Sequence, residues 1–486
     1  MGVTRHTFLL LSLLFSVVTY ALGDHSFENE AVVRTVELGG AVVRTKTTYA
    51  VKALDSASSI YVFALSADQK DNIAAMEAKI KGGEKLSIQN YGFNAGSDSY
   101  LYVVDLPKPL KKEEKITLEL DTVLTHATYP WPPSIGQTDK QALKYDTDLF
   151  VLSPYTTLVQ RTKIRTPSPS VLSYTEPKDV DSFTLEAPVT KSGATITYGP
   201  YNNVPGSTNK DFIEAHQKRV TIHYAYDLPL LEIPTMSRVA EISHWGSNLN
   251  IEDNIHLYNA GAKLKGHFSR IEYMRQVHMQ AASGHIMKAI NLQLPPGIRD
   301  VYYYDLIGNV STSRLRTAPS VPRGAVPQQY SLMEMRPRYP IVGGWNYTFT
   351  LGWDSPLRDT ASYDSKEGKY TVAVPLMTHF PDVIVDEHEL SIIFPEGATD
   401  MQVYPPFKPK SMTQSVHTTF LDSIGRPVVT LKYAQLTEAN LGIVYASYKV
   451  PLSAHLRKPF TVATVFSIIF VAAGIIRRLD TRIYKK

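Results

Sequence analysis

The chain has 486 residues, 50 Lys+Arg against 46 Asp+Glu, 43% hydrophobic residues and no cysteine. Zero Cys excludes thiol catalysis, Cys-ligated zinc, iron–sulfur clusters and disulfides, and domains of this size bury a core without staples. The charged fraction of 20% and aromatic fraction of 10% exclude wholesale disorder; the length fits two or three domains.

Residues 1–23 read as a secretory signal. Arg5 and His6 form the polar start, and Phe8–Val18 is an apolar run too short for a span, which needs about 20 residues. Ala21 and Gly23 are the small residues before a cut between Gly23 and Asp24. An uncleaved anchor is the alternative.

Alternating apolar patterns then dominate. AVVRT occurs at Ala31–Thr35 and again at Ala41–Thr45 around Gly39-Gly40, which predicts paired strands at the start of a sheet. Further strands are predicted over Ala41–Leu54, Tyr100–Leu106, Lys115–Leu124 and Arg219–Tyr226, and later over Asn346–Trp353, Lys369–Leu376, Glu389–Phe394, Pro427–Tyr433 and Gly442–Val450. Between them one helix is predicted. Ser66-Ala67-Asp68-Gln69 has capping-box spacing, Ile73, Met76 and Ile80 line one face, and Gly82 stops it. A weaker one covers Asp211–Lys218. Thr166–Tyr174 and Tyr198–Asn209, rich in Pro, Ser and Asn, are expected to be long loops. A boundary is placed near Asp227–Pro234, after which the strand pattern begins again.

In the second half, Trp245 and Trp345 are large aromatics that fill cores or anchor interfaces. Core is the expectation for both, with interface kept as the alternative, and His244 is expected to be packed or hydrogen-bonded. Lys263, Lys265, Arg270 and Arg275 alternate with Phe268 and Tyr273. That mixture suits single-stranded nucleic acid, but behind a secretory signal an interface or a solvated edge is expected, so no nucleic acid is assigned. Asn309-Val-Ser311 and Asn346-Tyr-Thr348 are N-glycosylation acceptors.

Phe460–Ile476 is a 17-residue run without charge, at the short end of what spans a bilayer, with Arg457 and Lys458 expected to snorkel. Arg477–Lys486 carries a net +4 and the signal +1, so the segment between them is close to −1 although the whole chain is +4. Basic residues gathered in the tail mark a cytoplasmic flank. Signal and anchor together predict a type I membrane protein. Small and hydroxyl residues on the anchor, Thr464, Ser467 and Gly474 among them, are candidates for contact with another helix.

The search for catalytic motifs returns little. There is no G-x-S-x-G, HExxH or GxGxxG. Gly261–His267 matches a phosphate loop for six residues and then has His267 where Lys is needed. Asp386-Glu387-His388-Glu389 groups metal-ligand types consecutively, which alternation along a strand would split between two faces; a solvated loop is expected there.

The phrases His244-Trp245-Gly246, Gly261–Arg270 (GAKLKGHFSR), Arg299–Ser313 (RDVYYYDLIGNVSTS) and Arg336–Trp345 (RPRYPIVGGW) resemble the ribophorin I family, with the signal, β-rich body and anchor matching as well. The resemblance implies a non-catalytic, accessory subunit of the oligosaccharyltransferase complex of the endoplasmic reticulum. That complex moves a preassembled glycan from dolichyl pyrophosphate to Asn in Asn-x-Ser/Thr of nascent chains. It further implies no cofactor, catalysis by another, multi-spanning subunit, partners within the membrane and a place near the protein-translocation channel. Animal members carry a substantial cytosolic domain; here ten residues follow Ile476, as in short-tailed fungal-like forms.

The expected fold class is mainly β: two β-sandwich-like luminal domains with few helices plus one C-terminal transmembrane helix. The divisions are 1–23 (signal), 24–230 and 231–452 (luminal domains), 460–476 (span) and 477–486 (cytosolic tail). A membrane-anchored luminal hydrolase and a cell-surface adhesion protein are the rival readings.

Overall fold

The first strand shows how sequence sets the layers. Along Phe27–Leu38 the inward positions are Phe27 and Asn29, then Val32, Arg34, Val36 and Leu38. The phase changes at a bulge between Asn29 and Ala31, which keeps both apolar sets on the core side. The strand turns at Gly39-Gly40 and pairs with Val42–Ala53, Leu38 opposite Val43, as the AVVRT echo predicts. A Cβ on Gly40 would lie 2.3 Å from the Tyr226 hydroxyl, so the turn packs on that ring only as glycine.

The computed structural model describes residues 26–55, 58–280, 283–321, 329–419 and 422–478. The signal, with Gly23 and Asp24, and the tail beyond Arg478 lie outside them.

The chain is mainly strand, in three sheets per half plus a two-stranded link. The first large sheet runs, edge to edge, Val189–Ser192, Thr195–Val204, Thr157–Arg165, Phe27–Leu38, Val42–Ala53, Lys115–Thr125, Ile73–Ile80 and Lys85–Leu86. The second runs Ser411–His417, Arg426–Leu436, Ile384–Ile393, Leu231–Ser243, Asn248–Asn259, Asn346–Pro356 and Arg299–Asp305. Apart from the short Lys85–Leu86 edge strand, the two follow the same path. Each opens with an antiparallel hairpin whose first strand pairs in parallel with a later one, Thr157–Arg165 or Ile384–Ile393. The smaller sheets repeat the match. Val171–Tyr174, Arg219–Ala225, Ala142–Asp148 and Thr128–Pro130 follow the order of Thr399–Tyr404, Ile443–Lys449, Lys369–Pro375 and Ala361–Asp364. Likewise the sheet of Ser58–Ser66, Ser99–Leu110 and Ile88–Asn94 follows that of Ile290–Leu294, Ser331–Met335 and Arg314–Arg316. The two halves are thus one topology used twice.

The link between halves is local and specific. Ser134–Ile135 pairs in parallel with Lys263–Leu264. The buried Gln141 amide donates to the Tyr226 and Leu228 carbonyls, and its oxygen accepts from Ala262 N at 2.8 Å. The core of the second half is one cluster drawn from residues 231–448. The first half has two clusters, one of which takes in Ile384 from the second.

Several expectations are corrected. Residues 66–82 form a four-residue helix, Ala67–Lys70, followed by the strand Ile73–Ile80. Ser66 makes no side-chain cap, and Met76 and Ala78 face Thr122 and Leu120 across the ladder. Pairing with a long neighbour overrides the helix preference of IAAMEAKI. The expected loops hold strands, Val171–Tyr174 in the first and the end of Thr195–Val204 in the second. The expected helix at Asp211–Lys218 is present over Lys210–His216, capped by Asn209. The helix Arg270–His278 was not expected.

Candidate functional site

The C-terminal helix runs Leu452–Arg478, eight residues earlier than the apolar run that announces it. At about 1.5 Å per residue it is about 40 Å long, more than the roughly 30 Å hydrocarbon layer requires. It is the one helix among the described residues long and apolar enough to cross a membrane, and it is exposed along its apolar length. Its first turns are docked on the β body. Ala454 packs against Gly397, which has φ +78°; a Cβ there would sit 2.7 Å from that of Ala454. His455 lies against the ring of His244, 5.1 Å between centroids.

Lys458 does not snorkel. Its ammonium donates to Asp422 Oδ1 at 2.7 Å and lies 3.8 Å from Glu396. Asp422 is fully covered and also accepts from Thr419 N and Oγ1 at 2.9 and 2.6 Å, with Arg426 Nε at 3.2 Å. Burial pushes this carboxyl upward, but the Lys458, Thr419 and Arg426 contacts outweigh it and hold it well below the usual carboxylate range. Pro459 follows immediately inside the helix and removes one backbone donor where docked turns give way to the free span.

His244 is packed as expected. It contacts Tyr370 at 4.6 Å and shares a 2.8 Å hydrogen bond with the Tyr448 hydroxyl. Burial, then the neighbouring His455, pushes it down to about 4, so it is neutral at neutral pH. Trp245 beside it is 66% exposed in the turn before Asn248, a correction to the expected core position. Both flanking strands direct their apolar residues inward, and the turn projects its side chain out. Trp345 is half-buried between Phe268 and Tyr339, at 5.5 and 6.2 Å, on the rim of the core. On the anchor, Thr464, Ser467 and Gly474 fall within an arc of about 80° at 100° per residue. Both hydroxyls donate back to their own helix, Thr464 to Phe460 O at 2.7 Å and Ser467 to Ala463 O at 2.8 Å.

Both acceptor asparagines are exposed. Asn309 follows a turn organised by Asp305, whose Oδ1 accepts from Ile307 N and Gly308 N while Arg338 grips the carboxylate at 2.8 and 2.9 Å. Asn346 opens a strand opposite Tyr258, and its Thr348 hydroxyl is 2.9 Å from His256 Nδ1. A cleft of about 470 Å³ lies on that sheet face, bordered by Asn254, His256, Thr348 and Lys432 together with the apolar Met236 and Ile255. It offers hydrogen bonds, and Glu389 in it is paired with Lys432 at 3.0 Å.

Asp386–Glu389 lies in the strand Ile384–Ile393, not in a loop. Alternation separates the four as expected. Asp386 and His388 share one face, where Asp386 reaches His126 of the other half at 2.6 Å and buried His388 bonds Leu376 O at 2.8 Å, while Glu387 and Glu389 take the other. Among the described residues no group of three His, Cys, Asp or Glu could hold a metal ion. Gly261–His267 contains the two-residue strand Lys263–Leu264 and leads to a helix only at Arg270.

Two features escaped the sequence reading. The helix Arg270–His278 is capped by Ser269, whose hydroxyl accepts from Glu272 N at 3.2 Å. The Ser269-x-x-Glu272 spacing was the available signal. The buried Arg238–Asp253 pair left no signal, because 15 residues of hairpin separate two charges within alternating strands.

Fold and surfaces together describe a β-rich protein with, among its described residues, one C-terminal helix long and apolar enough to cross a membrane. A family model described as Ribophorin I matches residues 27–477, and the chain belongs to that family. It is similar to dolichyl-diphosphooligosaccharide–protein glycosyltransferase subunit 1B of Arabidopsis thaliana, at 31% identity over 467 residues and 93% of each chain. Subunit 1 of Caenorhabditis elegans is 28% identical over 97% of this chain and 76% of its own. Subunit 1 of Schizosaccharomyces pombe is 27% identical over 96% of this chain and 98% of its own.

Proposed function

We propose that the chain is a non-catalytic, accessory subunit of the oligosaccharyltransferase, the assembly that glycosylates Asn in Asn-x-Ser/Thr of nascent polypeptides. The carrying observation is a family match over residues 27–477, body and anchor together, with relatives that are named as subunit 1 of that enzyme. The body sits in the lumen of the endoplasmic reticulum and the Arg477-Arg478 end in the cytosol, in type I orientation after cleavage between Gly23 and Asp24. Its partners are the other subunits, the catalytic one included, near the translocation channel. The Thr464, Ser467 and Gly474 face of the anchor meets a neighbouring helix, and Trp245 and Trp345 are further contact candidates. Purification in mild detergent should recover the other subunits, and depletion should leave reporter glycoproteins under-glycosylated. Recovery of the chain alone, with full glycosylation after depletion, would sink the reading.

The same compartment exposes the chain's own sequons. Glycans are expected on Asn309, Asn346 or both. Endoglycosidase treatment should increase gel mobility, and Asn→Gln at each occupied site should remove one step. A single unglycosylated band from microsomes would refute this.

A further inference from the structure

We propose that the exposed face of the Arg270–His278 helix is a docking surface for a folded protein that presents an apolar centre rimmed by carboxylates. Ile271, Met274 and Met279 are 85%, 57% and 67% exposed, while the helix buries the polar Gln276 instead. At 100° per residue Ile271, Met274 and Val277 form the outward stripe, with Arg270, Arg275 and His278 beside it. Aliphatic residues gathered on the exposed face of one nine-residue helix form a contiguous apolar patch of the kind that marks an interaction surface. The approach to it adds exposed Lys263, Lys265 and His267. Against these cations the segment has one acid, Glu272, already held by Arg275 at 2.8 Å. Four basic residues and one acid gather here, in a chain that is close to neutral between its signal and its tail.

Position argues for a protein over a lipid surface. The strand Leu231–Ser243 ends next to His244, which touches the anchor through His455. Its other end pairs with Asn259, whose N–H donates to Trp345 O, and Trp345 and Phe268 lead directly into this helix. Thirteen residues of strand separate the two ends, about 40 Å at 3.3 Å per residue. The helix is therefore far from where the anchor docks. It is also fixed to the first half, because Gln137 Nε2 donates to Ser269 O at 3.0 Å and Ser269 N to Gln137 Oε1 at 2.8 Å. A partner seated here would press on both halves at once. The apolar residues would supply contact area, the methionines adaptability, and the basic rim would select an acidic partner and repel a basic one.

This inference takes its setting from the oligosaccharyltransferase reading but can fail separately. A photo-activatable residue placed at Met274 of the full chain in microsomes should yield an adduct with another subunit, mapped to a peptide bearing Asp or Glu. Arg270→Glu with Arg275→Glu should reduce the adduct roughly tenfold, and a Glu→Lys change on the mapped partner should restore it. Lys263→Glu with Lys265→Glu, in and just after the link strand and outside the helix, should give the same loss if the helix variant fails to fold. Adducts to lipid, to nascent chains or to a second copy, or no protein adduct while the complex co-purifies intact, would overturn the inference and leave the functional reading standing. Loss of co-purification in the unaltered chain would instead sink the functional reading.

Discussion

Arg238 and Asp253 are fully buried, and each would be costly alone. Together they form a two-pronged pair at 2.6 Å, with Arg238 Nη1 donating to Pro375 O and the Thr378 hydroxyl donating to Asp253 Oδ2. Asp253→Ala leaves a guanidinium without its counter-charge beneath Trp353, 5.4 Å away. The expected loss is about 3–5 kcal/mol, read by urea denaturation followed through tryptophan fluorescence; an unchanged midpoint would contradict it. His126 makes the opposite kind of contact, across the seam and one-third exposed. Asp386 at 2.6 Å and Glu232 at 3.1 Å raise its imidazole to about 10. A raised histidine stabilises fully below its ordinary value near 6.5 and loses that contribution as pH climbs toward 10. The melting temperature of the unaltered protein should therefore fall across that window more than that of His126→Gln, by an amount that salt reduces. Parallel profiles would show that the clamp is inert. None of these pairings was legible in the sequence, because partners 15, 106 and 260 residues apart meet only through sheet order. The sequons were legible, since acceptance depends on local residue identity and exposure.

Strands announced themselves by alternation, and nine predicted runs coincide with strands within a few residues. The failures have separate causes. Ile73–Ile80 carries a helical spacing yet pairs from Ile73 opposite Leu124 to Ile80 opposite Leu118, so a neighbouring strand decided its conformation. Arg270–His278 has its apolar stripe facing outward, so a reading that equates apolar with buried passes over it. The anchor was legible as an apolar run, but its docked turns, Leu452 to Lys458, are polar enough to read as a linker. Those turns depend on Lys458 for the charge of Asp422. Lys458→Met keeps the hydrocarbon stem and leaves Arg426 and Thr419 as the carboxylate's remaining partners. Docking should weaken by about 1–3 kcal/mol, and limited proteolysis of microsomes opened with mild detergent should cut between Pro451 and Pro459 faster. A cleavage pattern identical to that of the unaltered chain would mean that the Gly397–Ala454 and His244–His455 contacts hold the helix unaided.

The repeated topology gives the molecule its plan, and sequence similarity between the halves was too faint to reveal it. What repeats is the order in which strands are laid into three sheets, and many sequences satisfy that order as long as each strand alternates. We propose that the halves are two domains divided near residue 230. They should differ in independence. The second has one continuous core from its own residues, whereas the first borrows Ile384, wholly buried, to complete a cluster around Val36, Tyr145 and Tyr224. Expressed separately into the lumen, residues 231–451 should unfold in one cooperative transition with a midpoint near that of the same half in the full chain. Residues 24–230 should fold with a lower midpoint, because the missing side chain leaves a gap comparable to a large-to-small core change, about 2–5 kcal/mol. Ile384→Ala in the full chain makes the same gap without separating the halves. It should lower the transition of the first half, followed by hydrogen exchange of the Thr195–Val204 and Arg219–Ala225 amides, more than that of the second. If the exchange rates of 231–449 rise instead while those of 24–230 stay put, Ile384 serves its own half and the division near residue 230 needs no such loan.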